Sequence, residues 1–269
     1  SAYSLVEGVS RLVFPRSLNK LSIRELEKLE QNLLDNSIAT FETDMAFAKL
    51  ITSIIRDDFS VKPKVAFGYS LGETSMMCAI GVWKDITQSL SNFHASPLFS
   101  DRISGKKNTI RSAWGLSTQD YPNNDFWHNY VLITTPLQAR ESLEGEERAY
   151  LTQINTPEEV VIAGEQEACG RVIKNLGCNA FRAPFDHVIH CDAMASEFEE
   201  IARANTSPIP DHPPDITVYS AGAYAPIKIG SNSIAQNIAK CLCQPLDFTR
   251  LVERVHNDGA KIFIETGAG

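Results

Sequence analysis

The sequence of 269 residues predicts an α/β fold in which a parallel core is interrupted by a small inserted lobe. A short apolar run, Val65 to Phe67, passes through Gly68-Tyr69-Ser70-Leu71-Gly72 into a helical pattern. Residues 128 to 184 alternate strand and helix signals in the order β-α-β-β-α-β, the ferredoxin-like split unit. Beyond them, strand and helix signals resume as the chain returns to the core.

Two amphipathic helices open the readable part of the chain. "SIRELEKLEQNLLDN" carries Leu26, Leu29, Leu33 and Leu34 at helical spacing behind Ser22, an N-cap residue type, and "TFETDMAFAKLITSIIRDDF" follows. "KVAFGYSLG" reads as a strand entering a tight turn, and "ETSMMCAIGVW" as the helix it opens, ended by Gly81. In the inserted stretch, "NYVLITTP", "AYLTQINTP", "EEVVIAGE" and "NAFRAP" are strand-like, while "LQARESLEGE" and "QEACGRVIKNLG" are helical. Then come a helix in "HCDAMASEFEEIARAN", a proline-rich loop, a strand in "ITVYSAG", helices over 231 to 243 and 247 to 258, and a last strand in "AKIFIETGAG". The expected division is 1–127 with 185–269 as the large subdomain and 128–184 as the small one.

Composition narrows the function. The net charge is -8 with pI near 5.3, and Lys and Arg form no blocks, which argues against nucleic acid and anionic membranes as partners. The six cysteines contain no CxxC pair, so neither a structural zinc site nor a disulfide framework is expected, and the thiols read as reduced. No apolar run approaches the ~20 residues of a membrane span. A cytoplasmic protein is expected.

Gly68 to Gly72 fits the G-x-S-x-G nucleophile elbow, a sharp strand-to-helix turn that exposes the serine hydroxyl. Both glycines are expected to avoid clashes with the flanking strand and helix. The Leu71 amide would face a developing oxyanion, helped by the positive end of the new helix. A serine nucleophile needs a base, usually histidine. Of His94, His128, His187, His190, His212 and His256, the pair in "FDHVIHCDAM" lies where the inserted lobe rejoins the core, the place for a cleft. His190 is the preferred base and His187 the weaker candidate. Asp186 and Asp192 flank the pair and are read as surface or capping groups.

With these motifs in place, the sequence resembles the acyltransferases that load acyl groups onto acyl carrier protein, the malonyl-transacylase-like domains of fatty acid and polyketide synthases. "GYSLGE" is similar to the family's GHSLGE, and "DHVIHCDAM" to its SHAFHSPLM, whose second histidine is the base. "VYSAG", "CQPLDF" and "FIETGAG" follow in the family's order. "LVFPRSLNKLS" and "SPLFSDRISGKKNTIRSAWGL" look most like acyltransferase domains of polyunsaturated fatty acid and heterocyst glycolipid synthases. The resemblance implies an α/β-hydrolase-like core with a ferredoxin-like insertion, and a Ser70-His190 dyad. It implies no bound cofactor, acyl-CoA or phosphopantetheine-linked thioesters as substrates, and acyl carrier protein and neighbouring synthase domains as partners. It also implies that a main-chain carbonyl near Cys241 orients the base.

The sequence departs from the family pattern at four places. Malonyl-using members carry an arginine about 26 residues after the serine, whose planar fork grips the substrate carboxylate. Here Ala95 or Ser96 stands there, with Arg102 and Arg111 further on. Tyr69 replaces the histidine before the serine, and Ile189 replaces a phenylalanine on the acyl pocket wall. The FPGQG loop, whose glutamine completes the oxyanion hole, is imitated only by "VFPRS", so the chain is expected to be an excerpt or to build that half differently. Two other readings share the same residues: an acyl-thioester hydrolase using the same dyad, and a catalytically silent docking module of a megasynthase.

Overall fold

In a computed structural model of the chain, residues 21–34, 36–84, 86–117 and 119–267 are described. The "VFPRS" segment lies outside them. The first helix, α1 (Ile23–Leu34), begins with Ser22, whose backbone N–H donates to the Glu25 carboxylate at 2.7 Å while its Oγ accepts from the Glu25 N–H at 3.4 Å, the reciprocal pair of a capping box. Helix α2 (Ser37–Ser53) is capped by the Asn36 side chain and runs into a π-helical turn, Ile54–Asp58.

Strand β1 (Val65–Ala66) leads through the elbow into α3 (Gly72–Ala79). Helices α4 (Ile86–Ala95) and α5 (Asn108–Trp114) follow. The inserted stretch forms β2 (His128–Ile133), α6 (Pro136–Leu143), β3 (Ala149–Thr156), β4 (Glu159–Gly164), α7 (Gln166–Leu176) and β5 (Ala180–Arg182). A 3-10 turn, Asp192–Glu197, precedes α8 (Phe198–Ala204). The chain closes with β6 (Thr217–Ser220), β7 (Ala225–Ile227), α9 (Ser231–Cys243), β8 (Leu246–Asp247) and α10 (Phe248–Asn257).

Two sheets result. The first has the order β1-β6-β7, with β1 parallel to β6 and β7 antiparallel to it. The second has the order β5-β2-β4-β3-β8, and its first four strands are mutually antiparallel. Strand β8, from the C-terminal part of the chain, adds parallel to β3 through Gln153 and Ile154. The fold class read from the sequence is the one observed: an α/β chain with parallel pairing at the elbow strand and a ferredoxin-like sheet.

Each sheet has its own apolar core. Leu132, Ile154, Val160, Ile162, Cys169 and Val172 fill the space between the ferredoxin-like sheet and helices α6 and α7. A larger cluster, including Met45, Met77, Phe93, Ile110, Trp127 and Ile238, surrounds the elbow helix. Helix α3 is buried at every position from Glu73 to Ala79, so the elbow is anchored in the core on all sides.

The expected last strand is not formed. Lys261 to Gly267 has no ladder bonding, and Ile262 is 83% exposed. The apolar composition is strand-like, but β1 is only two residues long and offers little edge to pair with. The helix expected from His190 to Asn205 starts later and is split, its first part, Asp192–Glu197, being 3-10.

The two elbow glycines differ. A Cβ on Gly68 would sit 2.3 Å from the Glu73 nitrogen and 2.3 Å from the Gly72 carbonyl carbon, whereas a Cβ on Gly72 would meet nothing within 4 Å. Only Gly68 is required by close approach. Gly68→Ala is expected to lower stability by about 3 kcal/mol through overpacking against backbone. Gly72→Ala is expected to stay within about 0.5 kcal/mol of the parent. Urea midpoints of the two variants check this.

Candidate active site

The site is built where two helix ends meet. Ser70 sits one residue before the cap of α3 with φ of 55°, a left-handed conformation that non-glycine residues seldom adopt. His190 also has a positive φ, 58°. Strain of roughly 1–3 kcal/mol at each such residue persists only where the surrounding structure fixes it. Both are held in place: Glu73 N–H donates to the Ser70 carbonyl, and His190 N–H donates to the Leu242 carbonyl at 2.8 Å.

Ser70 Oγ and His190 Nε2 are 2.7 Å apart, and His190 Nδ1 lies 2.7 Å from the Cys241 carbonyl oxygen. A carbonyl can only accept, so Nδ1 carries the proton and the Nε2 lone pair faces the serine hydroxyl. The carbonyls of Cys241 and Leu242 belong to the last turn of α9, where a helix leaves its acceptors unpaired and presents its negative end. That helix end does for His190 what a carboxylate does in a triad. Asp186 is 3.1 Å from Arg182, and Asp192 opens the 3-10 turn. The ring nitrogens of His190 bond Ser70 and Cys241, and neither aspartate is among their partners.

Burial lowers the His190 pKa to about 4, against the smaller opposing effect of its backbone partners, so the imidazole is a neutral base. The Leu71 N–H has no hydrogen-bond partner among the described residues, as expected at the start of a helix. Leu71 and Ile189 line a pocket that continues between Phe93, Phe99, Met194 and Leu242. Its polar residues, Thr74 and Asn205, bond each other at 2.9 Å.

The other sequence candidates are placed elsewhere. His187 is half-buried, with Nε2 at 2.8 Å from Ser37 Oγ and its ring stacked on Phe185. Tyr69 donates its hydroxyl to Asn155 Oδ1 on β3 at 2.7 Å, joining the elbow to the ferredoxin-like sheet; burial raises its pKa. Ser96, expected at the acyl pocket, instead donates to Glu200 at 2.5 Å, and Ala95 is exposed at the end of α4. Neither lines the pocket, because α4 ends there and turns their side chains toward other partners.

Neither arginine further along supplies a free cation. Arg111 spends all five N–H bonds on Lys106, Ser117, Asp120, Tyr121 and Asn124, and stacks on Phe126. Arg102 is paired with Glu197 at 2.8 Å.

Asp125, His128 and Asp186 bring ligand-type atoms within 4.8 Å of one another. The Arg182 guanidinium, 3.1 Å from Asp186 and 3.7 Å from Asp125, already supplies the positive charge there. Sequence reading passed over Glu73, which is fully buried beneath the elbow. An acid in the first turn of a helix led by a nucleophile motif was the available signal.

The buried groups set a pH dependence. Burial holds His187 and His190 at about 4, whereas an unfolded imidazole titrates near 6.5. Between those values the unfolded state binds more protons, so stability rises with pH and is lost on acidification. Burial raises Glu73 from 4.5 to about 7 and acts in the opposite sense, one group against two. The expected result is a melting temperature that falls from pH 6.5 to 4.5, with a flatter slope in His187→Gln.

Among known proteins, the chain is similar to a polyunsaturated fatty acid synthase subunit of Thraustochytrium sp., 29% identical over 98% of the chain. It is also similar to a polyketide synthase of Streptomyces halstedii, 25% identical over 94% of the chain. Its structure matches the malonyl-CoA:acyl carrier protein transacylase of Xanthomonas oryzae with a TM-score of 0.73 and 16% identity, covering all of this chain and 80% of that one. This is the acyltransferase fold. A type II polyketide malonyl-transacylase, solved in complex with its acyl carrier protein, matches with a TM-score of 0.71 and 19% identity, covering all of this chain and 81% of that one. The chain spans 13% of the Thraustochytrium synthase subunit and 3% of the Streptomyces synthase. No protein-family model matches it. The resemblance read from the motifs agrees with these acyltransferase-fold neighbours and synthase relatives.

Proposed function

We propose that the chain is a serine acyltransferase that moves an acyl group from a CoA or carrier-protein thioester to the phosphopantetheine thiol of an acyl carrier protein. The carrying observation is the 2.7 Å contact of Ser70 with a His190 whose tautomer is fixed by Cys241. His190 Nε2 takes the Ser70 proton as Oγ attacks the thioester carbon, and returns it to the departing thiolate. The Leu71 N–H and the start of α3 hold the oxyanion. The carrier thiol then attacks the acyl-serine, giving its proton to His190, which passes it to the serine oxygen. The reaction needs no resident cofactor. The negative end of α9 stabilises the transient imidazolium, offsetting its burial.

The apolar lining beside the dyad favours an uncarboxylated acyl group. It is lined by Leu71, Phe93, Phe99, Ile189, Met194 and Leu242, with no cation among its lining residues. In this reading, 1–127 with 185–269 carries the nucleophile and base, and 128–184 covers the cleft, with Tyr69 and Asn155 as the tie. No described helix is long and apolar enough to cross a membrane, and the six cysteines are free thiols. These features support a cytoplasmic setting beside other synthase domains. The test is to incubate the protein with an acyl thioester and a holo carrier protein. Acyl-carrier is expected to accumulate; release of free acid in its place would mark a hydrolase, and neither product would mark a docking module.

A further inference from the structure

Glu73 lies at the second residue of α3, three residues after the nucleophile, and is completely buried. Its carboxylate accepts from Ser220 Oγ at 2.8 Å and from the Ala221 N–H at 2.5 Å, the last residue of β6 and the first of the turn that follows. The Cys241 thiol faces the same carboxylate. No cation pairs with it among the described residues. Two donors, a facing thiol and no countercharge is the pattern of a carboxylate that acts as an acceptor hub rather than as half of an ion pair.

The hub leads to the base. Cys241, whose thiol faces Glu73, is the residue whose carbonyl holds His190 Nδ1. A second route reaches the same helix. Ser220 Oγ also accepts the Gly222 N–H, and a Cβ on Gly222 would sit 2.2 Å from the Asn237 carbonyl of α9. Nucleophile helix, β6 turn and base-orienting helix therefore converge on one carboxylate.

We propose that Glu73 is a positioning residue of the dyad: its ionised carboxylate fixes Cys241, and through it the carbonyl that orients His190. This rests on the reading of Ser70 and His190 as the dyad. Burial raises Glu73 to about 7, whereas His190 lies near 4. The two groups thus titrate in separate windows, and loss of the Glu73 charge near neutrality loosens the orienting contact before the imidazole itself protonates. The groups facing the carboxylate are Ser220 at the end of β6, the Ala221 amide from the turn that follows, and Cys241 from α9.

The test uses the full chain with isotopically labelled histidine. In the parent, the His190 ring resonances are expected to move with a midpoint near the Glu73 value of about 7. In Glu73→Gln that step is expected to be absent. Acylation in Glu73→Gln is expected to slow about tenfold with KM unchanged. Cys241→Ser, which keeps a donor, should retain the parent ring profile, and Cys241→Ala should lose it. An identical His190 profile in Glu73→Gln overturns the proposal; should that variant fail to fold, identical profiles in Cys241→Ser and Cys241→Ala overturn it. The resonance readout needs no turnover, so it stands even where the parent proves unreactive toward thioesters, a result that would sink the dyad reading instead.

Discussion

Ser70→Ala is expected to abolish covalent acylation and to leave the protein folded. The hydroxyl makes its side-chain contact with His190 alone, and 8% of the residue stays exposed at the elbow. Alanine meets the same positive φ as serine, so the strain at the turn is unchanged. Packing loses one oxygen, whereas the reaction loses its nucleophile. Turnover should fall by about 10⁴-fold or more, and His190→Ala by a similar factor, because members of such a unit are not additive. His187→Ala should retain most activity per folded molecule, since its ring contacts Ser37 rather than Ser70. Acyl adducts that persist in Ser70→Ala would contradict this assignment.

The second large effect is in substrate choice. A malonyl carboxylate placed in this pocket would lie among Leu71, Phe93, Phe99 and Ile189 with no cation to meet it. Leaving a charge buried and unpaired costs about 2–5 kcal/mol. The lower figure alone corresponds to a factor of about 30 in kcat/KM. Initial acylation rates with malonyl, acetyl and butyryl thioesters should rank malonyl last. Around the missing arginine the structure places Glu200 on Ser96 and Glu197 on Arg102, so the electrostatics there disfavour an anion further. A malonyl preference that vanishes in Arg102→Ala would show that this arginine leaves Glu197 to serve the substrate, and would refute the argument. Arg111 is too fully bonded to move without unfolding its loop.

Local patterns made much of this legible. Ser22 followed by Glu25 marks the start of α1, and apolar β-branched runs between turn residues give the ferredoxin-like strands, whose β4 is buried at all but one position. The elbow was readable because Gly68 has no room for a side chain. Gly72 fits the motif by its spacing, yet its surroundings are open and do not demand a glycine. Features that depend on long-range contact left no local trace. Strand β8 is two residues long and exists only because β3 lies beside it. The positive φ of His190 and the placement of its ring on Cys241 arise from α9, 51 residues further along the chain. The final "KIFIE" has the composition of a strand but no edge to join, and Ser96 sits at the arginine's position while pointing at Glu200.

The most direct measurement is the intact mass of the parent protein after exposure to a panel of acyl thioesters, followed by peptide mapping. The dyad account predicts a mass increase of one acyl group, located on the peptide holding Ser70, for uncarboxylated chains before malonyl. An unchanged mass with every thioester, or an adduct mapped to any other residue, would contradict it.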